Sequence, residues 1–332
     1  MKVVAIGGGT GLSTLLRGLK HSVPEHIEQL SAIVTVSDNG GSTGILRKEM
    51  NIPAPGDVRN CITALAEDED ILTKVMQYRF TEGEGLKGHS FGNLFLTVLT
   101  KITGDFLTAI EITSKILKIK GKIIPSTDSL VNLVAEFTDG QIIKGEVEIT
   151  EYGRKLIAKI KRIWLEPENV NAPKEAVESI MEADLIVLGP GSLFTSVIPN
   201  LLIKDIKEAL LNSPAYKVYI CNVMTQFGET DNFTASDHVK ALNKVVNGDE
   251  NINFLNAVVI NTTIPPDEVL KRYLRENSEP VVADAGNLSR MGLTVYAKDL
   301  LEEGNYARHS PQKLNNVILE IIQSLKVKNA VT

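Results

Sequence analysis

Four glycines in five positions, Gly7-Gly8-Gly9-Thr10-Gly11, separate a short apolar run from leucines at helical spacing. Glycines in that setting let backbone N–H groups approach an anion, and the helix dipole adds positive potential. The dinucleotide fingerprint needs glycine at its first, third and sixth positions. Gly7 and Gly9 meet the first two, but the sixth is Leu12, and no Gly-Lys-Ser/Thr follows to make a P-loop. The segment is therefore either a phosphate or diphosphate loop of its own spacing or a tight structural turn. Four glycines exceed what a turn requires.

A second polar, glycine-rich run is Ser37-Asp38-Asn39-Gly40-Gly41-Ser42-Thr43-Gly44. Asp38 suits a magnesium ion or a ligand hydroxyl; Asn-Gly turn chemistry would equally account for a solvated loop. In Pro55-Gly56-Asp57-Val58-Arg59-Asn60, Asp57 is placed to cap a helix. Arg59 in a first helical turn opposes the dipole, which invites an anionic partner. Asp38, Asp57 and Arg59 are the candidates for catalysis. Gly88-His89-Ser90 opens another helix, with Ser90 as cap. Gly189-Pro190-Gly191-Ser192-Leu193-Phe194-Thr195 repeats the strand–glycine–helix layout. Asn222 and Thr225-Gln226-Phe227-Gly228-Glu229-Thr230 follow a further strand, with amides suited to a base or sugar edge. Arg308-His309 reads as surface charge. There is no Ser-His-Asp spacing, HExxH or CxxC pair, so nucleophilic and zinc catalysis find no support.

The elements that position these loops alternate between strand and helix. Strands are expected over 3–6, 32–36, 185–188, 217–223, 257–260, 281–283 and 293–296. Helices are expected over 12–20, 173–183, 195–211, 235–246, 266–276 and 313–325. Residues 57–118 carry four successive helical patterns and form a helical insertion. Residues 121–165 form a small antiparallel β insertion: a hairpin of 130–137 and 142–149 about Asp139-Gly140, then a strand from 157 to 164. The 332 residues make one α/β unit, a Rossmann-like, doubly wound, mainly parallel sheet with both insertions. At least four strand ends then carry polar glycine-rich loops, and one face of the sheet becomes an extended polar crevice.

Composition narrows the partners. Lys and Arg number 35 against 41 Asp and Glu, a net charge of −6. That disfavours a nucleic-acid binder. Two distant cysteines, Cys61 and Cys221, make neither a disulfide framework nor a zinc site. No secretory signal and no 20-residue apolar stretch is visible, so a cytoplasmic protein without membrane insertion is expected.

The glycine loop, the Ser37–Gly44 run, Pro55–Asn60, Gly88–Asn93, Gly189–Leu202 and Asn222–Thr230, in that order, resemble the 2-phospho-lactate transferase-like family, and within it the bacterial gluconeogenesis-factor branch. The resemblance spans nearly the whole chain and implies a Rossmann-like core, often dimeric. Its transferase branch moves a phospholactate group from a guanosine diphosphate carrier to a deazaflavin, with magnesium. Its gluconeogenesis-factor branch is implicated in gluconeogenic growth and cell-shape maintenance and binds UDP-sugars, notably UDP-N-acetylglucosamine. Position by position, Gly8, Gly9, Thr10 and Gly11 would lie along the diphosphate or sugar, and Asp38, Asn39, Gly41, Ser42 and Thr43 would line the same crevice. Gly189, Gly191, Ser192 and Thr195 match a second phosphate loop; Asn222, Thr225 and Gln226 match the next polar loop. Arg308 would approach the nucleotide and Tyr273 the base.

The expectation is a UDP-sugar-binding regulatory homodimer with no obligatory cofactor and unidentified protein partners. The alternative is a magnesium-dependent transferase acting on a nucleotide-diphosphate-linked donor, with Asp38 on the metal. The scarcity of aromatics, with Trp164 alone of its type, disfavours a deazaflavin pocket. A NAD-dependent dehydrogenase is disfavoured by Leu12.

Overall fold

The computed structural model describes residues 1–67, 71–156 and 158–331. Ten strands are named here: β1 (Lys2–Gly7), β2 (Gln29–Val34), β3 (Lys122–Pro125), β4 (Asn132–Phe137), β5 (Ile142–Lys144), β6 (Ile160–Glu166), β7 (Leu185–Leu188), β8 (Tyr216–Ile220), β9 (Ala257–Asn261) and β10 (Thr294–Lys298). Seven of them form one sheet in the order β10-β9-β8-β7-β1-β2-β3, every pair parallel. Runs such as Leu185-Ile186-Val187-Leu188 are buried throughout, as a sheet covered on both faces demands. Helices Gly9–Leu19 and Pro311–Val331 pack together, Gly18 lying so close to Pro311 that a Cβ would fall 2.2 Å from its carbonyl oxygen.

From β1 the chain moves outward through β2 to β3, then returns to place β7 on the other side of β1 and runs on to β10. The order reverses between β1 and β7. Ligands of open α/β sheets bind beyond the strand carboxyl ends at such a point, and two glycine-rich loops, after β1 and β7, stand there.

Several elements depart from the sequence reading. A helix, Gly41–Met50, occupies what reads as the second half of a loop. Its glycine-rich start hides the pattern, and burial of Ser42, Thr43, Leu46 and Arg47 shows the helical spacing. Residues 122–125 join the main sheet beside β2; the antiparallel sheet, in the order β5-β4-β6, begins only at Asn132. The expected strand 142–149 stops at Lys144, and Glu146–Leu156 is helical. Glu-Val-Glu-Ile alternates like a strand, but Ile149 and Gly153, four residues apart, form the buried face. Ile157, the expected start of the third strand, lies outside the described residues. The expected helix 195–211 is three pieces: a π-helical turn Leu193–Val197, a short helix Ile198–Leu201 containing Pro199, and Lys204–Asn212. Residues 281–283 contribute only an isolated bridge from Val282 to Thr234. Ala285–Arg290, in the polar stretch that follows, is a short helix.

Candidate functional site

The helix after β1 starts on glycine. Gly8 is its N-cap, has no side chain to bond the first turn, and no acidic residue follows in that turn. The exposed N–H groups of such an end are a ready anion site. Gly9 has φ +61°, a left-handed backbone that glycine adopts freely. Crowding also explains these glycines. A Cβ on Gly8 would fall 2.5 Å from Thr35 Cγ2 and 2.8 Å from Asp57 Oδ2. A Cβ on Gly11 would fall 2.3 Å from the Pro190 carbonyl oxygen. The loops after β1 and β7 are thus pressed against each other, which sets the floor of the crevice.

One cavity opens from this floor and a second adjoins it. One, of about 190 Å³, is lined by Thr10, Gly11, Gly191, Ser192, Asn222, Gln226 and Arg308 among others. The second, of about 520 Å³, is lined by Thr225, Gln226, Tyr273, Arg154 and Arg275 among others. Met224 and Gln226 belong to both. The Asn222 carboxamide oxygen accepts from Gly191 N–H at 3.4 Å, tying the β7 and β8 loops. Gln226 Oε1 is buried with no hydrogen-bond partner, an acceptor that a ligand donor would satisfy. At the outer edge, Arg308 and Arg272 both lie over the Tyr306 ring, at 4.8 and 4.9 Å, and Arg272 also approaches Tyr273 at 5.8 Å. This edge is cationic and aromatic. His309, which reads as surface charge in the sequence, is buried and donates from Nε2 to the Cys221 carbonyl at 3.2 Å. Burial holds its pKa down at about 4.

Beside the glycine loop lies an acidic group the sequence reading only half captures. Asp57 is not the cap of its own helix, Pro55–Leu65, whose N-cap is Ala54. It instead accepts from the Gly9 N–H across the crevice. Burial, and then the Asp38 carboxylate, push its pKa up to about 7. Glu146 and Glu229 were not among the candidates. Glu229 is buried and accepts from Ser192 Oγ at 2.6 Å and Thr150 Oγ1 at 2.9 Å. Thr195 Oγ1 donates to Ser192 Oγ at 2.5 Å. Glu146 bonds Thr195, while its Oε2 is buried without a partner. Burial, with Asp38, Asp57 and Glu229 nearby, raises the Glu146 pKa well above the carboxylate range. Glu146 was hidden because its segment alternates like a strand; the signal available was Gly145, with φ +107°, which breaks that strand.

Other predicted residues hold the scaffold. Asn39 donates to Glu148 at 2.6 Å and accepts from Val147 N–H at 3.0 Å, so it fastens helix Glu146–Leu156 to the β2 loop. Asp38 Oδ1 accepts from Gly40 N–H at 2.8 Å. Ser42 bonds His89 Nδ1 at 3.0 Å and accepts from Asn93 at 3.3 Å. Thr43 is buried, 2.4 Å from where a Cβ on Gly56 would stand. Gly41 starts its helix at φ +45° with open space around it. Arg59 donates to Ser90 Oγ and Asn60 Oδ1, both at 2.6 Å, beneath Gly92. It props the helix Phe91–Thr103, whose cap is Ser90 as expected. Thr225 Oγ1 accepts from Glu279 N–H at 2.9 Å. The site loops Gly8–Gly11, Gly189–Thr195 and Asn222–Gln226 therefore converge with Tyr273 and Arg308, whereas Asn39, Ser42 and Arg59 act by holding loops in place.

Among the described residues, no group of three or more His, Cys, Asp or Glu is arranged to hold a metal by itself. Mg²⁺ commonly takes one or two carboxylates and completes its shell with phosphate oxygens and water. Asp38 and Asp57, near enough that the Asp38 carboxylate raises the Asp57 pKa, fit that mode.

The comparisons agree with this architecture. The family model described as 2-phospho-L-lactate transferase CofD matches residues 3–301. A protein of Aquifex aeolicus (strain VF5) is 60% identical over 325 residues, covering 98% of this chain and 97% of that one. The "Gluconeogenesis factor" of Bacillus subtilis (strain 168) is 45% identical over 323 residues, 97% of this chain and 98% of that one. A crystal structure of a Bacillus halodurans protein superposes with a TM-score of 0.89 at 45% identity, covering 96% of this chain and 99% of that one. With its reversal point between β1 and β7, its glycine loops and its full-length matches, the chain belongs to the 2-phospho-L-lactate transferase CofD family.

Proposed function

We propose that the crevice binds a nucleotide-diphosphate sugar, with UDP-N-acetylglucosamine as the leading ligand, and that the protein reports its level in the control of gluconeogenic growth and cell-envelope maintenance. The observation that carries the reading is that the two cavities adjoin, with Met224 and Gln226 in the walls of both. The uncapped helix start and Ser192 would take the diphosphate at one end. Tyr273 would stack on the base at the other, with Arg308 neutralising phosphate charge. The unpartnered Gln226 Oε1 would accept a base or sugar N–H. The name "Gluconeogenesis factor" borne by the Bacillus subtilis relative supports the physiological side. A cytoplasmic homodimer is part of the same reading.

The acidic group favours a second reading, transfer chemistry on a nucleotide-diphosphate-linked donor. Mg²⁺, when bound, would neutralise the diphosphate and stabilise charge on the leaving phosphate. Asp38 and Asp57 would hold it, Gly9 N–H fixes the Asp57 carboxyl, and Asp57, with its pKa pushed up to about 7, would donate or take a proton.

Incubation with UDP-N-acetylglucosamine and Mg²⁺, followed by ³¹P NMR, separates the two. An unchanged ligand that binds saturably supports the reporter. Conversion that Asp38→Asn abolishes supports the transferase. Absence of binding refutes both.

A further inference from the structure

A further cavity lies apart from this crevice. A pocket of about 560 Å³ opens between β6 and helix Ala235–Asn247, within the size range of small-molecule sites. Its floor is apolar. Phe194, only 7% exposed, and Phe233 meet edge to face at 6.2 Å, and Leu202, Ala241 and Val245 extend that surface.

Its rim carries an excess of positive charge. Lys161 pairs with Glu136 at 2.5 Å, Lys240 with Asp237 at 3.3 Å, and Arg162 lies 5.2 Å over Trp164. Lys159 and Lys244 also line the pocket, and among the described residues neither has an ion-pair partner. Two of the acids on the wall are engaged elsewhere: Asp231 accepts from Gly228 N–H, and Asp237 from Thr234 N–H and its hydroxyl. Glu250 is the remaining carboxylate on the wall. A neutral apolar ligand would leave the lysines unanswered; a polyanion would waste the aromatic floor.

A single turn stands between the pocket and the crevice. Phe194 belongs to the π-helical turn Leu193–Val197, an arrangement frequent at functional sites. The same turn carries Thr195, which bonds Ser192 on the crevice side. Asn232, at φ +62°, lies two residues beyond Thr230.

We infer that this pocket is a second ligand site, for a small amphipathic anion with an apolar body and a single phosphate, sulfonate or carboxylate head. The body rests on Phe194, Phe233 and Val245, and the head lies between Lys159 and Lys244. The site stands on its own cavity and does not depend on what fills the crevice.

The probe is 8-anilinonaphthalene-1-sulfonate, an aromatic sulfonate, titrated against the full chain while following its fluorescence and the quenching of Trp164, which adjoins the pocket residue Ile163. One saturable site is expected. Lys244→Glu, at an exposed position, should weaken it at least ten-fold. Ala241→Trp, which fills the cavity, should abolish it. Arg308→Glu, in the crevice, should leave it unchanged, and circular dichroism checks that each variant is folded. Competition with 1-naphthyl phosphate and with decanoate tells an aromatic from an acyl body; uncharged 1-naphthol should compete at least ten-fold less well. Non-saturable binding, full binding in Ala241→Trp, loss of binding in Arg308→Glu alone, or no displacement by either anion would overturn the assignment.

Discussion

Replacing Asp57 with Asn should make the protein more stable at pH 8 and leave it little changed at pH 4. The carboxyl is displaced from its ordinary 3.8 to about 7, by burial first and Asp38 second. A raised carboxyl pKa means that the folded state holds the proton more tightly than the unfolded chain. Its contribution is therefore most favourable below pH 4 and is lost as pH rises through 7. At about 1.4 kcal/mol per tenfold in the proton equilibrium, the displacement corresponds to about 4 kcal/mol. Partial access to solvent at the crevice reduces this to about 2 kcal/mol. Asn keeps an acceptor for Gly9 N–H and removes the charge. For a chain of this length that gain is about 3 °C in Tm. Urea unfolding of both proteins from pH 4 to 8 gives the comparison directly. The stability difference should grow across that interval and level off above it. Glu146 and Glu229 keep part of the wild-type slope in the variant, because burial raises them too. A variant that is less stable than wild type at pH 8, or that parallels it at every pH, would refute the buried-charge account.

Further outcomes follow from the same geometry. Gly11→Ala places a Cβ 2.3 Å from the Pro190 carbonyl; denaturant unfolding should show a loss of about 1–3 kcal/mol, with nucleotide-sugar affinity falling at least ten-fold by calorimetry. Asn39→Ala removes both bonds to the start of helix Glu146–Leu156, which should cost about 1–2 kcal/mol and raise hydrogen exchange in that helix first. Tyr273→Ala should weaken binding by about 1 kcal/mol through lost stacking, while Arg308→Ala should also steepen the loss of affinity with salt less than in wild type, since one phosphate contact is gone. In EDTA, affinity for UDP-N-acetylglucosamine should fall as pH rises from 6 to 8, because ionisation of Asp57 brings negative charge against the diphosphate; saturating Mg²⁺ should flatten that profile in the same titration.

The centre of the sheet was legible because β1 and β7 are short apolar runs that end in glycine, and a parallel sheet covered on both faces produces just that pattern. Where two patterns compete, the sequence is ambiguous. Glu146 to Ile149 alternates like a strand, yet Gly145 ends β5 and the segment coils so that Ile149 packs inward. Glycines at Gly41 and Gly44 disguise a helix start as a loop, for the same backbone freedom serves both. The crevice was legible as a set of loops: Gly11, Gly191, Ser192, Asn222, Gln226 and Arg308 line one cavity, and Tyr273 lies in the adjoining one. Residue type alone does not tell which polar groups face a ligand. Asn39, Ser42 and Arg59 have the right chemistry, but partners distant in sequence already engage them. Conversely, Glu146 and Glu229 gain their character only from burial beside Asp38 and Ser192, which no local pattern encodes.

Ligand-dependent thermal stability tests the central claim most directly. A ligand that binds only the folded state at a hundred times its Kd adds about 2.7 kcal/mol, or about 4 °C here. UDP-N-acetylglucosamine should raise Tm by that amount, UDP less, and NAD not at all, with the shift lost in Arg308→Glu. Stabilisation by GDP in place of the UDP-sugar, or by none of these ligands with or without Mg²⁺, would contradict the account.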